Sequence, residues 1–266
     1  MVGVIEHYDK YDEDSRLVKD KVHKVEFSTT LYILNKYIVK NMNILDLGAG
    51  TVRYSFYYAE RGNSVTAVDI VPKHVTIMKE KLTENKDADI KISLGTATDL
   101  SAFADESFDV VLCLGPLYHL KTKIERDKCI NECLRVLKKD GILAIAYINK
   151  LFITTALIKN NKSACLHENF LNQIINNGTV DNDGRNTFIM NSYFFLPNEI
   201  EDYLGAFSTD KLEHVGTDGI SVILNDMVNE FSDEEYDGWM KYHLKICGEP
   251  SILGYSNHGL YLCRKK

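Results

Sequence analysis

Five short apolar segments alternate with helix-like segments between residues 43 and 148, and this alternation constrains the fold more than any other feature of the chain. The apolar segments are residues 43–49, 64–70, 89–95, 108–114 and 142–148, each of strand length and each bounded by turn-forming or polar residues. Nearly continuous apolar strands that alternate with helices are typical of a parallel sheet covered on both faces. We therefore predict a doubly wound α/β core over residues 41–150.

The segments between the strands carry helix signals. Residues 51–61 stop at Gly62, a residue that commonly ends a helix, and Pro72 occupies a favoured first-turn position of the next helix. Residues 124–137 carry an apolar stripe and are followed by the polar sequence KKDG. The pattern predicts three helices, which follow the first, second and fourth strands.

The flanking regions predict three further units. Residues 1–40 are polar with a helical apolar spacing, which predicts an N-terminal helical cap. Residues 151–195 are rich in asparagine, with a helix predicted near residues 170–175 and a turn-rich stretch at 176–186, and they are too long for a plain connection. We predict that they form a helical lid inserted after the fifth strand. Residues 196–266 are predicted to complete the sheet and to add a helical segment on the substrate side.

Composition excludes several classes of protein. Hydrophobic residues make up 45% of the 266 residues and charged residues 26%, as in a globular protein, and no apolar run approaches the ~20 residues of a spanning helix. The N-terminus is charged and the six cysteines include no CxxC pair, so we predict a cytoplasmic protein with reduced thiols. A net charge of −7 makes nucleic acid an unfavourable partner, and no membrane association is expected.

A glycine loop, DLGAGT at residues 46–51, joins the first strand to a helix. Glycine lets backbone approach a ligand, and Asp69 ends the second strand, where a carboxylate can hold a ribose hydroxyl. The dinucleotide pattern would need glycine where Arg53 stands, and Asp46 would repel a diphosphate. S-adenosylmethionine carries an ammonium and a sulfonium instead of phosphate. The loop therefore favours S-adenosylmethionine over NAD.

At this point the chain resembles class I S-adenosylmethionine-dependent methyltransferases, in their UbiE-like small-molecule branch. The matching segments are ILDLGAGT (44–51), VTAVDI (65–70), SFDVVLCLGPLYHL (107–120), CLRVLKKDGIL (133–143) and the tail LGYSNHGLYLCRK (253–265). The resemblance implies a Rossmann-like methyltransferase sheet and transfer of a methyl group to a small-molecule acceptor.

The resemblance also implies roles for individual residues. The residues implied in cofactor binding are Asp46, Gly48 and Gly50 near the methionine part, Asp69 at both ribose hydroxyls, Ile70 on the adenine, Ala97 and Thr98 at the adenine edge, and Leu114 beside the cofactor. Two positions depart from the family pattern. Val52 replaces the third glycine of the usual GxGxG, which we interpret as ordinary helical backbone, and Thr96 replaces a common acid whose contact Asp99 could take over.

Candidate catalytic residues follow the fourth strand. Tyr118 could line the acceptor pocket and His119 could take a proton from the acceptor, or His119 could only cap the following helix or bond a carbonyl. No metal-ligand spacing is present, and the reaction needs no metal. Tyr8, Tyr11, Arg16 and His23 lie in a segment that covers the cofactor in relatives, although each could equally be a packing residue.

Two alternative functions remain open from the sequence. RNA or protein methylation is disfavoured by the net charge and by the sequence LGPL, at residues 114–117, in place of an Asn/Asp-Pro-Pro-Tyr motif. A non-catalytic, S-adenosylmethionine-binding regulator is kept open by Val52 and Thr96.

Overall fold

Seven strands form a single sheet in the computed structural model, which describes residues 2–11, 13–181 and 187–266. The order across the sheet is β3-β2-β1-β4-β5-β7-β6. The strands are β1 (Asn43–Leu47), β2 (Ser64–Asp69), β3 (Ile90–Leu94), β4 (Phe108–Cys113), β5 (Leu137–Ile148), β6 (Thr209–Gly216) and β7 (His258–Lys265). Strands β1 to β5 pair in parallel, whereas β7 runs antiparallel to both of its neighbours, β5 and β6.

Helices cover the sheet and extend beyond its carboxyl edge. They are α1 (Val2–Lys10), α2 (Glu13–Arg16), α3 (Lys21–Leu34), α4 (Arg53–Ala59), α5 (Pro72–Glu84), α6 (Lys123–Val136), α7 (Lys150–Asn160), α8 (Glu168–Asn177), α9 (Pro197–Gly205), α10 (Asn225–Glu230), α11 (Asp233–Ile246) and α12 (Pro250–Tyr255). None of the helices in the described ranges combines the length and the apolar character that crossing a bilayer requires.

Alternation along the central strands places apolar side chains on both faces of the sheet. In β4, Val111 and Cys113 pack into one buried cluster with α6, whereas Val110 and Leu112 pack into the cluster on the opposite face. All four side chains are fully buried. This two-sided burial confirms the predicted doubly wound α/β core.

Two predicted boundaries are wrong for identifiable reasons. The helix predicted from residue 51 begins at Arg53, because Val52 has left-handed backbone (φ 69°) and cannot belong to the helix. The fifth strand begins at Leu137 rather than at residue 142. Leu137 pairs with Phe108, and the register then shifts so that Ile142 pairs with Val110, with Asp140 at φ 62° in the bulged stretch.

The segment between β5 and β6 is helical, as predicted. Helix α8 contains the helix expected near residues 170–175, and α7 precedes it. Apolar side chains from this insertion pack into a separate buried cluster with Ile148 of β5, formed by Ile174, Val180, Met190 and Phe194. Residues 182–186, part of the predicted turn-rich stretch, lie outside the described residues.

Candidate functional site

The glycine loop after β1 lies at the carboxyl edge of the sheet and is fixed by backbone hydrogen bonds. Gly48 N–H and Ala49 N–H both donate to the carbonyl oxygen of Val68, at 2.8 and 3.2 Å. Gly48 and Gly50 have φ values of +67° and +55°, which favour glycine. The loop is thus held against β2, the strand that ends in Asp69.

Gly48 also requires the absence of a side chain. A Cβ at this position would lie 2.8 Å from Cδ and 2.9 Å from Cγ of Pro116, in the short 3-10 helix that follows β4. A proline ring has little freedom to move away. The glycine therefore lets two loops of the sheet edge approach each other closely.

Val52 corrects the interpretation that this position is ordinary helix. Its φ of 69° and ψ of 25° are left-handed, although the side chain is β-branched and fully buried. L residues other than glycine pay about 1–2 kcal/mol in this region. The backbone thus has a conformation that suits the glycine of the family pattern, and the substitution costs strain rather than changing the loop.

Asp69 is tied into the loop by both of its carboxylate oxygens. Gly50 N–H donates to Oδ2 and Val71 N–H donates to Oδ1, each at 2.8 Å. His74, from α5, places Nδ1 3.3 Å from Asp69 Oδ1, and neither ring nitrogen of this buried histidine has a hydrogen-bond partner among the described residues. His74 lines the same cavity as Asp69, and sequence reasoning missed it.

Asp46 is buried at the end of β1. The hydroxyl of Ser55 donates to its Oδ2 at 2.7 Å. Burial, with a smaller contribution from the charge of Asp69, raises the pKa of the Asp46 carboxyl to about 7. The neutral and charged forms of Asp46 are therefore close in free energy, and a nearby cation would favour the charged form.

These residues surround a cavity, called here the inner cavity. The predicted site residues that line it are Asp46, Gly48, Gly50, Asp69, Ile70, Ala97, Leu114, Tyr118 and His119. Thr98 is not among the lining residues. Its hydroxyl lies 3.0 Å from that of Thr96, which does line the cavity. Asp99 accepts from Ser101 N–H in its own turn at 3.1 Å and does not line it either.

A second cavity, the outer cavity, adjoins the inner one. Four residues line both: Tyr8, Glu13, Arg16 and Tyr118. The remaining lining residues of the outer cavity are His7, Tyr11, Val22, His23, Glu26, Ile148, Ile153, Phe188, Asp218, Val222, Asn257 and His258. Tyr8, Tyr11, Arg16 and His23, noted in the sequence as isolated candidates, are thus brought to one place by the N-terminal helices.

His119 lies on the wall of the inner cavity, in contact with the N-terminal helix α1. Its Nδ1 is 3.4 Å from the carbonyl oxygen of Asn191 and its Nε2 is 3.0 Å from the hydroxyl of Tyr8. With the proton assigned to Nδ1, Nε2 accepts from Tyr8. Burial lowers the pKa of His119 to about 4, so the ring is neutral at neutral pH. Burial also raises the pKa of the neighbouring Tyr118.

Charged side chains form a chain along the outer cavity. Arg16 donates from Nε to Glu13 Oε1 at 2.9 Å and from Nη1 to Glu26 Oε2 at 3.0 Å. His258 Nδ1 lies 2.8 Å from Asp218 Oδ2 and 3.4 Å from Glu26 Oε2. These carboxylates raise the pKa of His258 in spite of its burial. Arg16 and His258 are therefore held among three carboxylates.

Two clusters in the described ranges bring possible metal ligands within 4.8 Å of one another: Cys113 with Cys129 and Cys133, and Glu26 with Asp218 and His258. The cysteines lie in the buried core between β4 and α6. In the second cluster Arg16 already neutralises Glu26, and Asp218 accepts from the backbone N–H groups of residues 257 and 258. Neither donor set has the open, uncompensated arrangement that a metal ion needs, and we assign no metal to them.

Comparison with known proteins finds a family match for the core of the chain. Residues 45–145 match the family described as methyltransferase domain. A curated relative, the ubiquinone biosynthesis O-methyltransferase of Pelagibacter ubique, is 31% identical over 112 residues, which are 42% of this chain and 44% of that protein. The match thus spans less than half the length of this relative. The resemblance predicted from the sequence is confirmed for this part of the chain.

Solved structures match almost the whole chain. Mycolic acid cyclopropane synthase CmaA1, solved with S-adenosylhomocysteine and CTAB, aligns with a TM-score of 0.65 at 16% identity and covers 99% of this chain and 98% of that one. A SAM-dependent methyltransferase from Methanosarcina mazei aligns with a TM-score of 0.59 at 19% identity, over 88% of this chain and 96% of that one. These likenesses confirm the Rossmann-like fold.

Proposed function

Because residues 45–145 are a methyltransferase domain in a Rossmann-like sheet, we propose that the chain transfers a methyl group from S-adenosylmethionine to a small-molecule acceptor. One observation carries this proposal: two adjoining cavities share a wall of Tyr8, Glu13, Arg16 and Tyr118 at the carboxyl edge of the sheet. A methyl donor in the inner cavity would meet an acceptor in the outer cavity at the place where these four residues line both cavities. Two compartments in line suit a displacement reaction between two bound molecules.

The chemistry of the inner cavity suits S-adenosylmethionine. Asp46 and Asp69 supply carboxylates beside the glycine loop, and Arg53, which also lines the cavity, already donates to the carbonyl oxygen of Asp14 at 3.0 and 2.7 Å. We assign Asp46, Gly48 and Gly50 to the methionine part and Asp69 to the ribose. Ile70, Ala97, Thr98 and Leu114 are assigned to the adenine side and the cofactor border, Thr98 from behind Thr96.

Positioning and exclusion of water would supply most of the rate acceleration. The cofactor provides an activated methyl group, and a displacement at that carbon needs the acceptor atom in line and close. The N-terminal helices α1 and α2 cover the inner cavity through Tyr8, Glu13 and Arg16. A donor bound beneath them would be shielded from bulk water, which limits hydrolysis and strengthens interactions with charge.

His119 and Tyr118 are proposed to shape the acceptor side of this site. A base whose conjugate acid has a pKa of about 4 takes protons weakly at neutral pH, so the burial of His119 weighs against a general-base role. The contact between His119 and Tyr8, at 3.0 Å, instead supports a positioning role. His119 would hold α1 in place over the inner cavity.

We place the protein in the cytoplasm and expect no nucleic-acid partner. The six cysteines are all free thiols, which suits a reducing compartment. The outer cavity is lined by aromatic, aliphatic, acidic and basic side chains, and its arginine, Arg16, is already paired with Glu13 and Glu26, which suits a small molecule better than a phosphate backbone.

Calorimetric titration tests the proposed cofactor. S-adenosylhomocysteine should bind, whereas NAD should give no binding heat. Asp69→Ala should weaken S-adenosylhomocysteine binding by about 1.5–3 kcal/mol, typical of hydrogen bonds to a charged group. Asp87→Ala, at an exposed position before β3, serves as the matched control and should leave affinity unchanged. NAD binding without S-adenosylhomocysteine binding would refute the proposal.

Turnover separates the three functional alternatives. Transfer of a labelled methyl group to small molecules supports the proposal. Transfer that disappears after nuclease or protease treatment of a cell extract would indicate an RNA or protein acceptor. Tight cofactor binding with no transfer to any fraction of the extract would indicate a regulator.

A further inference from the structure

The outer cavity has an excess of negative charge. Its lining includes three carboxylates, Glu13, Glu26 and Asp218, against two side chains that can be cationic next to them, Arg16 and His258. His23, which also lines the cavity, faces a carboxylate of its own, Asp20 Oδ1, at 2.6 Å, so the excess of carboxylates remains even with His258 protonated. Burial lowers the pKa of His7, which therefore adds no charge at neutral pH. A ligand that enters this cavity would be stabilised by carrying a positive charge.

The cations of the cavity are already engaged. Arg16 divides its donors between Glu13 Oε1 at 2.9 Å and both carboxylate oxygens of Glu26, at 3.2 and 3.0 Å. His258 faces Asp218 at 2.8 Å. Binding an anionic ligand would require breaking these pairs. A carboxylate, in contrast, has about four lone-pair positions and can accept from a further donor while it keeps its present partner.

Aromatic rings also line the outer cavity. The rings of His7 and Tyr11 stack with their centroids 5.6 Å apart, and the ring of Phe188 lies 5.8 Å from His7 and 6.2 Å from Tyr118. The faces of such rings attract ammonium groups by about 0.5–2 kcal/mol. Carboxylates and aromatic rings thus meet around one space.

From this arrangement we propose that the outer cavity binds an amine as the methyl acceptor, in its ammonium form, and that the enzyme is an N-methyltransferase. This inference rests on the proposed function. The ammonium releases one proton to solvent, and the neutral nitrogen then attacks the methyl carbon. The new N–C bond forms as the C–S bond of the sulfonium breaks, and its electron pair stays on sulfur. The products are a methylated ammonium, S-adenosylhomocysteine and the released proton.

The relative from Pelagibacter ubique is named an O-methyltransferase. An amine acceptor would therefore be a difference between that protein and this chain. The match to that relative spans 42% of this chain, and most residues of the outer cavity come from outside the methyltransferase domain at 45–145. The acceptor side is therefore built from segments for which that match carries no information.

Isosteric probe pairs test the charge preference. Choline and 3,3-dimethylbutan-1-ol share one shape and differ in charge, and phenethylamine and 2-phenylethanol form a larger pair. Each probe is titrated calorimetrically into the full chain, both free and saturated with S-adenosylhomocysteine. The cation should bind about tenfold more tightly than its neutral partner, or better, in at least one pair. Equal or weaker binding of the cation in both pairs would overturn the inference.

Variants locate the preference in the outer cavity. Glu26→Gln removes one carboxylate while Arg16 keeps its bond to Glu13, and should reduce the preference for the cation by about fivefold or more. Tyr11→Leu should reduce it by about threefold. Glu234→Gln, an exposed acid on α11, is the matched control and should change nothing. A cation preference untouched by both cavity variants would also overturn the inference.

Different results would contradict the amine acceptor and the proposed function. Loss of cation preference with intact S-adenosylhomocysteine binding contradicts the amine acceptor alone. Failure of S-adenosylhomocysteine to bind the unmodified chain contradicts the proposed function, whatever the probes do.

Discussion

The inner and outer cavities are built in different ways although they share a wall. The inner cavity is framed by loops at one edge of the sheet, and its key contacts involve backbone, such as the bond from Gly50 N–H to Asp69. The outer cavity is framed by side chains from segments far apart in the chain, such as Glu26, Phe188 and His258. Backbone geometry can be shared among proteins with different side chains. A fold of this kind can therefore keep its cofactor while its acceptor changes.

Gly48→Ala should give the largest effect, and it tests the backbone-built cavity. The new Cβ would meet the Pro116 ring at 2.8 Å and would occupy left-handed backbone at φ +67°. Strain of about 1–2 kcal/mol adds to overpacking of about 1–3 kcal/mol. We expect S-adenosylhomocysteine binding to weaken by about 30-fold or more, measured by calorimetry.

Gly62→Ala is the matched control for that change. Gly62 has φ +83°, but a Cβ there would meet nothing within 4 Å. This variant should lose about 1–2 kcal/mol in its free energy of unfolding and keep its cofactor affinity. Equal cofactor binding by the two variants would show that the close approach at Pro116 does not matter.

The same difference explains what the sequence could and could not predict. The inner cavity follows from local patterns: glycines, strand-terminal acids and the loop of Tyr118 and His119 all lie within one α/β core. The interpretation of Val52 as ordinary helix is wrong, because β-branched residues rarely adopt left-handed backbone, whereas the loop imposes φ 69° at this position. Hydrogen bonds on both sides of residue 52 set the backbone conformation at that position.

The outer cavity could not be predicted as a unit. Arg16 and His258 are separated by most of the chain, and only the packing of α2 and α3 beside β7 brings both to Glu26. Arg16 stands out in the sequence as an isolated candidate, and nothing in the sequence links it to His258. Their pairing depends on three-dimensional distance, for which a single sequence holds no direct signal.

Hydrogen exchange tests the predicted lid, residues 151–195, against the rigid sheet edge. The buried apolar cluster of the predicted lid is small and is centred on Ile174 and Phe194, so local opening of the lid should be easy. Amides of α7 and α8 should exchange rapidly in the free protein. Cofactor plus acceptor should slow them by about tenfold, with the β4 amides unchanged as the internal reference. Strong protection of α7 and α8 in the free protein would contradict the lid.

Asp46 should make cofactor binding depend on pH by up to about tenfold. Its pKa of about 7 in the folded protein lies above the ordinary 3.8, so the folded state holds an extra proton between about pH 4 and pH 7. The contribution of this group to stability therefore falls as pH rises through that window. The ammonium group of bound S-adenosylhomocysteine would lower this pKa, so binding releases the proton, and affinity should rise between pH 6 and pH 8.

Calorimetry in buffers of different ionisation enthalpy would measure this proton. Asp46→Asn can still accept from Ser55 but has no proton to release. Its S-adenosylhomocysteine affinity should be flat over the same range. A pH dependence that survives in Asp46→Asn would assign the proton to another group.

His119→Gln should have the smallest effect, because His119 lines the inner cavity, contacts Tyr8 and is assigned here to positioning. The glutamine amide can reach the place of Nε2 and accept from the Tyr8 hydroxyl, which now lies 3.0 Å from that nitrogen. It cannot act as a base near neutral pH. We expect single-turnover methyl transfer within about threefold of the unmodified chain, with unchanged cofactor affinity. A general base would instead be worth about 10²–10⁴-fold.

His119→Ala completes the comparison, since it removes the partner of Tyr8 and leaves a buried hydroxyl to find another. That change should cost about 1–3 kcal/mol, expressed as weaker closure of α1 over the inner cavity. If His119→Gln and His119→Ala both lost 10²–10⁴-fold in the transfer step while binding cofactor normally, His119 would be the base in spite of its low pKa. If His119→Gln alone retained activity, the wall between the cavities would owe its function to the placement of Tyr8, and the acceptor would deliver its proton to solvent.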